Sequence, residues 1–322
     1  MILTPQPQAP VLTVTLNPAL DLSTSTDEVV PELKLRCEAP DIDPGGGGIN
    51  VSRAIANMGG RSRALVALGG ATGTRLCDLL HQTGLPVLRL NAPGETRQSL
   101  SVIDRSDGAQ FRFVLPGPEW RPSDVRGALD AVVGAAPQGG ILVISGSNPP
   151  GVPPDFAVAL ARRLAGRDTR MFVDTSGAAL AAVAGARDAP IAVLRMDDAE
   201  AEGLAGRPLP ERKDTADFAS SLVQAGAAQS VIVARGADGN IVACPEGRWH
   251  AEAPPVTVIS KVGAGDSFVA GYTLAVARGM AVADALALAA AAAAAACMTP
   301  ATDLCRPEDV ERLYAERVVT PI

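Results

Sequence analysis

Short apolar runs of the chain alternate with stretches of helical spacing. VLTVTL (11–16), ALVAL (64–68), ILVIS (141–145), MFVDTS (171–176), IAVL (191–194) and VIVAR (231–235) are mostly continuous apolar runs, as strands buried on both faces are. Between them lie NVSRAIANMG (50–59), GTRLCDLLHQ (73–82), PDFAVALARRLA (154–165) and FASSLVQAG (218–226), which follow a helical apolar period. Strands separated by ~10–15 residues of helical pattern predict βαβ units, hence an α/β fold with a mainly parallel sheet covered on both faces. Two stretches break the rhythm. Residues 22–43 and 96–115 alternate polar and apolar positions without a helical period, as half-exposed strands do, and RSDGAQ (105–110) between the arms of the second is a hairpin signal. They predict a small β-sheet inserted in the α/β body, placed as a lid over a cleft. The first ten residues, MILTPQPQAP, carry no such pattern and are expected to form a tail.

Glycines then mark where chemistry could sit. KVGAGDSFVAGY (261–272) places two glycines and Asp266 where an apolar helix begins. Glycine lets the backbone turn tightly and a ligand approach, and the free N–H groups of a first helical turn bind anions. A carboxylate there is favoured by the helix field, by about 0.3–1 kcal/mol, and is thereby kept able to accept a proton. The same pattern is also that of a glycine turn with an ordinary N-cap aspartate. DPGGGGINVSRAIANMGG (43–60) feeds four glycines into a second helix, where Asn50 either caps the helix or bonds a ligand hydroxyl. Neither run matches a dinucleotide fingerprint, and GxxxxGK[ST] does not occur. Two such turns are expected to supply two ligand sites to one cleft.

Composition narrows the classes. The 322 residues are 47% hydrophobic and 20% charged with a net charge of −7, and lysines and arginines are scattered, which argues against a nucleic-acid or membrane-binding surface. No basic residue precedes Lys34, so no secretory signal is expected. ALALAAAAAAAACMT (285–299) is too short and too weakly apolar to span a bilayer and reads as a buried helix. Five cysteines form no CxxC pair, which favours reduced thiols in the cytoplasm over disulfides or a zinc site. His81 and His250, the two histidines, lie in no motif and are expected to be surface or structural.

TLNPALD (15–21), KLRCEAP (34–40), GGGGINVSRAIANMGG (45–60), GGATG (69–73), TRQ (96–98), FRFVLPG (111–117), LVISGSNPPG (142–151), VDTSG (173–177) and VGAGDS (262–267) resemble, in order, stretches of the ribokinase-like family of carbohydrate kinases. Within it they are most similar to the minor bacterial 6-phosphofructokinases. The resemblance implies one kinase domain over residues 1–322, a lid that also forms a homodimer interface, magnesium-ATP as donor and a sugar phosphate as acceptor. It implies Asp266 as the base, with Gly263, Ala264 and Gly265 forming the anion hole. Asp21 and Asn50 would hold sugar hydroxyls, Gly46 and Gly47 would offer backbone contacts, and Lys34, Arg36 and Arg97 would face the substrate's phosphate. Outside their motifs those three cations would read as exposed strand charges. GGGGIN together with KLRC favours fructose 6-phosphate; fructose 1-phosphate, tagatose 6-phosphate and a donor other than ATP stay open, as does a sugar-phosphate sensor without catalysis.

The donor side departs from the family pattern. Its Asn-x-x-Glu element, which organises magnesium through water, falls on Asp197 and Glu200, with Ala199 where a lysine is usual. The Ser/Thr-Leu-Gly turn near the nucleotide becomes Ala234, Arg235 and Gly236, with Gly239 beyond it, and Lys261 replaces a threonine. Asp197, Arg235, Gly236, Gly239 and Lys261 are therefore the expected nucleotide contacts. Lys261 is expected to offset the charge of Asp197, an effect of about 4 kcal/mol for unit charges ~4 Å apart at an effective dielectric near 20.

Overall fold

The computed structural model describes residues 2–4, 6–187, 189–300 and 303–322. In chain order its first half contains β1 (Val11–Thr15), β2 (Ala19–Thr26), β3 (Asp41–Gly45), α1 (Gly47–Asn57), β4 (Arg63–Leu68), α2 (Gly70–Gln82), β5 (Val87–Asn91), β6 (Arg97–Asp104), β7 (Gln110–Val114), α3 (Pro122–Ala135) and β8 (Gly140–Ser145). The second half adds α4 (Phe156–Leu164), β9 (Thr169–Asp174), α5 (Gly177–Gly185), β10 (Ile191–Asp197), α6 (Asp198–Ala205), α7 (Arg212–Gln224), β11 (Ser230–Ala234) and a 3₁₀ turn (Gly236–Asp238). It ends with β12 (Asn240–Cys244), β13 (Gly247–Ala251), α8 (Ala264–Ala277), α9 (Val282–Cys297), α10 (Pro307–Ala315) and β14 (Val319–Pro321).

The apolar runs become the centre of a ten-stranded sheet in the order β14-β13-β12-β11-β10-β9-β8-β1-β4-β5. From β5 to β11 all pairs are parallel; Val14 of β1 is paired with Leu65 of β4 and Ile144 of β8. β1 and β8 are buried along their whole length because both faces are covered. Leu12, Val14, Leu142 and Ile144 face one apolar layer with α3–α7, while Val11, Ile141 and Val143 face another with α1, α8, α9 and α10. The sheet continues beyond VIVAR through β12, β13 and β14, which pair antiparallel and which the helical rhythm did not signal. β1 is where the strand order reverses, with β4 on one side and β8 on the other. Such a reversal opens a crevice at the carboxyl ends of the strands.

The interrupting stretches form a second sheet, in the order β3-β2-β6-β7, with β2 and β6 parallel and the other pairs antiparallel. Only the ends of 22–43 are strand; residues 27–40 form a connection tied to β2 by Glu38 N–H donating to the Ser25 carbonyl at 3.0 Å. The expected N-terminal tail is instead docked: Leu3 is buried and the Ala9 N–H donates to the Ala277 carbonyl at 2.8 Å. The alanine-rich run is α9, buried against α8 as expected. A Cβ at Gly271 of α8 would lie 2.9 Å from the Ala289 Cα, so small residues on both helices permit close contact and fix where α8 begins. Among the described residues no helix is long and apolar enough to cross a membrane.

Candidate active site

Period-2 alternation gives the second sheet two chemically different faces. Asp21 and Ser23 of β2, Arg97, Ser99 and Ser101 of β6, and Arg112 of β7 line a cavity of about 450 Å³, closed on the other side by Gly46, Gly47 and Asn50 at the start of α1. Leu100, Ile103, Phe111 and Phe113 are exposed apolar residues of the same strands. Gly47 packs at the end of β8, where a Cβ would sit 2.4 Å from Ser145 Oγ; only glycine lets α1 start so close to that strand. Burial raises the pKa of Asp21 above the usual carboxylate range against the opposing pull of Arg97, a Ser99 hydrogen bond and Arg112. Arg97 is fixed by donating from Nε and Nη2 to the Asn17 carbonyl, both at 3.3 Å.

A second cavity, of about 660 Å³, opens on the other side of the α8 N-terminus. Its far end is apolar, with Pro254, Pro255, Val256, Ala290 and Ala294, and its near end carries Arg195, Asp197, Asp198 and Gly236. Asp197 caps α6: its Oδ1 accepts from the Glu200 N–H at 2.8 Å, and Glu200 Oε2 accepts from the Asp197 N–H at 2.9 Å. This reciprocal capping box uses one oxygen of each carboxylate and leaves the other oxygen of each without a hydrogen bond from this motif. Burial is the main influence raising the pKa of Glu200.

The first turn of α8 separates the two cavities. Gly263, in the left-handed region at φ 76°, and Asp266 line the smaller one; Ala264 and Gly265 line the larger one. Asn50 Nδ2 donates to Asp266 Oδ2 at 2.9 Å, joining the two glycine-fed helices. Asp266 sits half-buried on the cavity floor, and its pKa is pushed up to about 7, first by desolvation and then by the Asp174 charge, against the Asn50 hydrogen bond and Arg195. Arg195 and Asp174 form an ion pair at 3.2 Å with side chains 18% and 15% exposed, and Ser145 Oγ donates to Asp174 at 2.9 Å. A Cβ on Gly265 would lie 3.5 Å from both terminal nitrogens of Arg195, so the guanidinium sits beside the amides of the helix start. Backbone N–H groups, a guanidinium and a carboxyl near neutrality together suit transfer of an anionic group to a hydroxyl.

Most of the residues expected from sequence gather here: Asp21, Gly46, Gly47, Asn50, Arg97, Gly263 and Asp266 at one cavity, and Asp197, Gly236, Ala264 and Gly265 at the other, with Lys261 at both. Five do not line either cavity, one of them Glu200, whose carboxylate is engaged with the Asp197 N–H at the start of α6, beside the larger cavity. Lys34 and Arg36 lie exposed in the 27–40 connection, because β2 carries the chain to the far end of the small sheet before it turns back. Arg235 bonds Asp238 at 2.8 Å, the carbonyls of Leu209 and Pro210 at 2.9 Å, and Thr215, so its charge anchors the 236–239 turn rather than facing the cleft. Gly239 serves the same turn: at φ 102°, a Cβ there would be 2.2 Å from the Ala251 carbonyl oxygen. Sequence reasoning missed Arg112, Ser145, Asp174 and Arg195, although FRFVLPG, LVISGSNPPG and VDTSG contain the first three.

Comparison with known proteins agrees with this arrangement. Residues 15–309 match the model of the pfkB family of carbohydrate kinases. The chain is 37% identical over 304 residues to the ATP-dependent 6-phosphofructokinase isozyme 2 of Mycobacterium tuberculosis, covering 94% of this chain and 88% of that protein. It is 38% identical over 305 residues to the Escherichia coli protein of the same name, covering 95% and 98%. The crystal structure of phosphofructokinase-2 from Escherichia coli in complex with fructose-6-phosphate superposes with a TM-score of 0.88 at 37% identity, over 96% of this chain and 99% of that one.

Proposed function

Because the chain belongs to the pfkB family of carbohydrate kinases, we propose that it is an ATP-dependent 6-phosphofructokinase, converting fructose 6-phosphate to fructose 1,6-bisphosphate. The relatives' activity and the fructose-6-phosphate complex of the Escherichia coli protein support the acceptor and donor. The observation that carries the reading is the first turn of α8, which presents Asp266 to one cavity and the Ala264–Gly265 amides to the other. A sugar phosphate fits the smaller cavity, with Arg97 and Arg112 for its phosphate and Asp21 and Asn50 for its hydroxyls. A nucleotide fits the larger one, its base against the apolar end and its phosphates toward α8.

In the reaction, Asp266 takes the proton of the 1-hydroxyl as its oxygen attacks the terminal phosphorus. A carboxyl with a pKa near 7 is suited to hold that proton and then release it. Asn50 aims the carboxylate through its 2.9 Å hydrogen bond, and the amides of residues 263–265 with Arg195 stabilise the charge on the transferring group. The free carboxylate oxygens of Asp197 and Glu200 fit a magnesium ion held through water, since hard cations prefer oxygen donors and a nucleotide-bound magnesium keeps several waters. Bound there, the ion would neutralise donor phosphate charge. Closure of the small sheet over the sugar excludes water.

The exposed apolar face of the small sheet, with Phe111 38% and Phe113 52% exposed beside Leu100, supports pairing with a second copy, as a homodimer. All five cysteines are free, in keeping with a cytoplasmic setting, and the proposed reaction is one of glycolysis. The test is initial-rate ADP production with magnesium-ATP and fructose 6-phosphate, beside fructose 1-phosphate and tagatose 6-phosphate. Fastest turnover of fructose 6-phosphate is expected. Preference for another acceptor overturns the substrate assignment, and binding without turnover identifies a sensor.

A further inference from the structure

Among the described residues, Lys261 alone lines both cavities. It stands immediately before the helix start that divides them, and its carbonyl accepts the Ala264 N–H at 3.4 Å. The segment is held in place: the N–H groups of Ile259 and Ser260 donate to the Cys297 carbonyl at 2.8 and 3.3 Å, and the Val262 N–H donates to Ser260 Oγ at 3.1 Å. The side chain itself is not held. It is exposed and takes no part in the hydrogen bonds and ion pairs of the described residues, whereas Arg97, Arg195 and Arg235 each have fixed partners. Its charge is felt by the Cys297 thiol in the wall of the larger cavity, and it is not among the charges acting on Asp266. The ammonium thus sits on a flexible four-carbon stem at the boundary of the two cavities, within reach of both.

We propose that Lys261 is a catalytic residue that contacts the phosphoryl group in transit, holding it on the donor side before transfer and on the acceptor side after it. This deepens, and rests on, the kinase reading above. In the step the acceptor oxygen forms a bond to the terminal phosphorus as the bond from that phosphorus to the β–γ bridging oxygen breaks. The hydroxyl proton goes to Asp266, and ADP leaves with the electron pair of the broken bond. Lys261 exchanges no proton and follows the migrating negative charge. Fixed donors on α8 stabilise the transition state from one side, and this mobile cation does so from the other. A cation shared by both cavities interacts most strongly when the phosphoryl lies between them, so its removal acts on turnover more than on either binding step.

Steady-state and single-turnover rates with magnesium-ATP and fructose 6-phosphate, measured for wild type, Lys261→Met and Lys261→Arg, test this. Thermal melting and calorimetric ATP binding serve as controls of folding. For Lys261→Met the expected result is a kcat and a single-turnover rate lower by ~10²-fold, with both Michaelis constants within about threefold of wild type. Lys261→Arg restores part of the rate. A kcat for Lys261→Met within about threefold of wild type overturns the proposal, and so does a raised Michaelis constant for ATP alone, which marks a donor-binding residue. A wild type that phosphorylates no sugar phosphate refutes the kinase reading and this role with it; an active wild type matched by Lys261→Met refutes only the role.

Discussion

Replacing Asp266 by asparagine should make the protein slower and more stable at once. Moving the carboxyl from its ordinary 3.8 to about 7 corresponds to about 4 kcal/mol at 1.36 kcal/mol per unit. Because the side chain opens to the cavity, water reduces this, and the figure is an upper bound. The native state binds the proton more tightly than the unfolded chain, so the cost is absent below about pH 4, grows up to about pH 7 and is complete above it. Wild type therefore loses this stability as pH rises through the window. The asparagine variant does not, and its side-chain oxygen can still accept the hydrogen bond from Asn50. Urea unfolding of both proteins at pH 8 and pH 5 should show the variant more stable by up to about 4 kcal/mol at the higher pH, narrowing to at most about 2 kcal/mol at the lower. Turnover should fall by roughly 10²–10⁴-fold, and wild-type kcat/KM should rise with pH through an apparent pKa near 7. A stability difference equal at both pH values, or a variant with near-normal turnover, would refute the reasoning.

Three other outcomes are expected. Asp174→Asn removes a negative charge acting on Asp266 and frees Arg195 to act on it, so whatever rate remains should show its acidic limb at lower pH than wild type; an unmoved limb refutes the coupling. Arg112→Ala should raise the Michaelis constant for the sugar phosphate about tenfold or more, the scale of one charge-assisted hydrogen bond, and leave that for ATP unchanged. Arg235→Ala should lower the urea midpoint by the equivalent of about 3 kcal/mol, since it strips the partners from a largely buried guanidinium network; a variant of normal stability whose only defect is weak ATP binding would return Arg235 to the nucleotide site.

Why some of this was legible in the sequence can be argued from particular residues. ILVIS and VLTVTL signal doubly covered strands because no charged position interrupts the run and the two threonines of the second are small, β-branched and buried. NIVAC and GRWHA are as short but end in hairpin pairings whose register depends on tertiary contact, so β12 and β13 carried no comparable signal. The glycine runs disclosed both helix starts through backbone requirements that only glycine meets. Arg195 and Asp174 gave no such mark: they lie on different strands and meet only because β9 and β10 are neighbours, paired at those two residues. Lys34 and Arg36 do not line the cavity of their own chain, since local alternation locates a strand but not which end of the sheet its loop occupies.

Asp21, Ser23, Arg97, Ser99, Ser101 and Arg112, which line the cavity proposed for the acceptor, belong to the small sheet, whereas Asp266, Arg195, Asp174 and the amides of α8 belong to the main body. Apart from Asn50 and the glycines at the start of α1, recognition and reaction are thus written on different pieces of backbone. Substitutions along that polar row can retune which sugar is accepted while the phosphoryl-transfer apparatus stays intact, so the molecule offers evolution, or a protein engineer, a replaceable reading head on a separate engine.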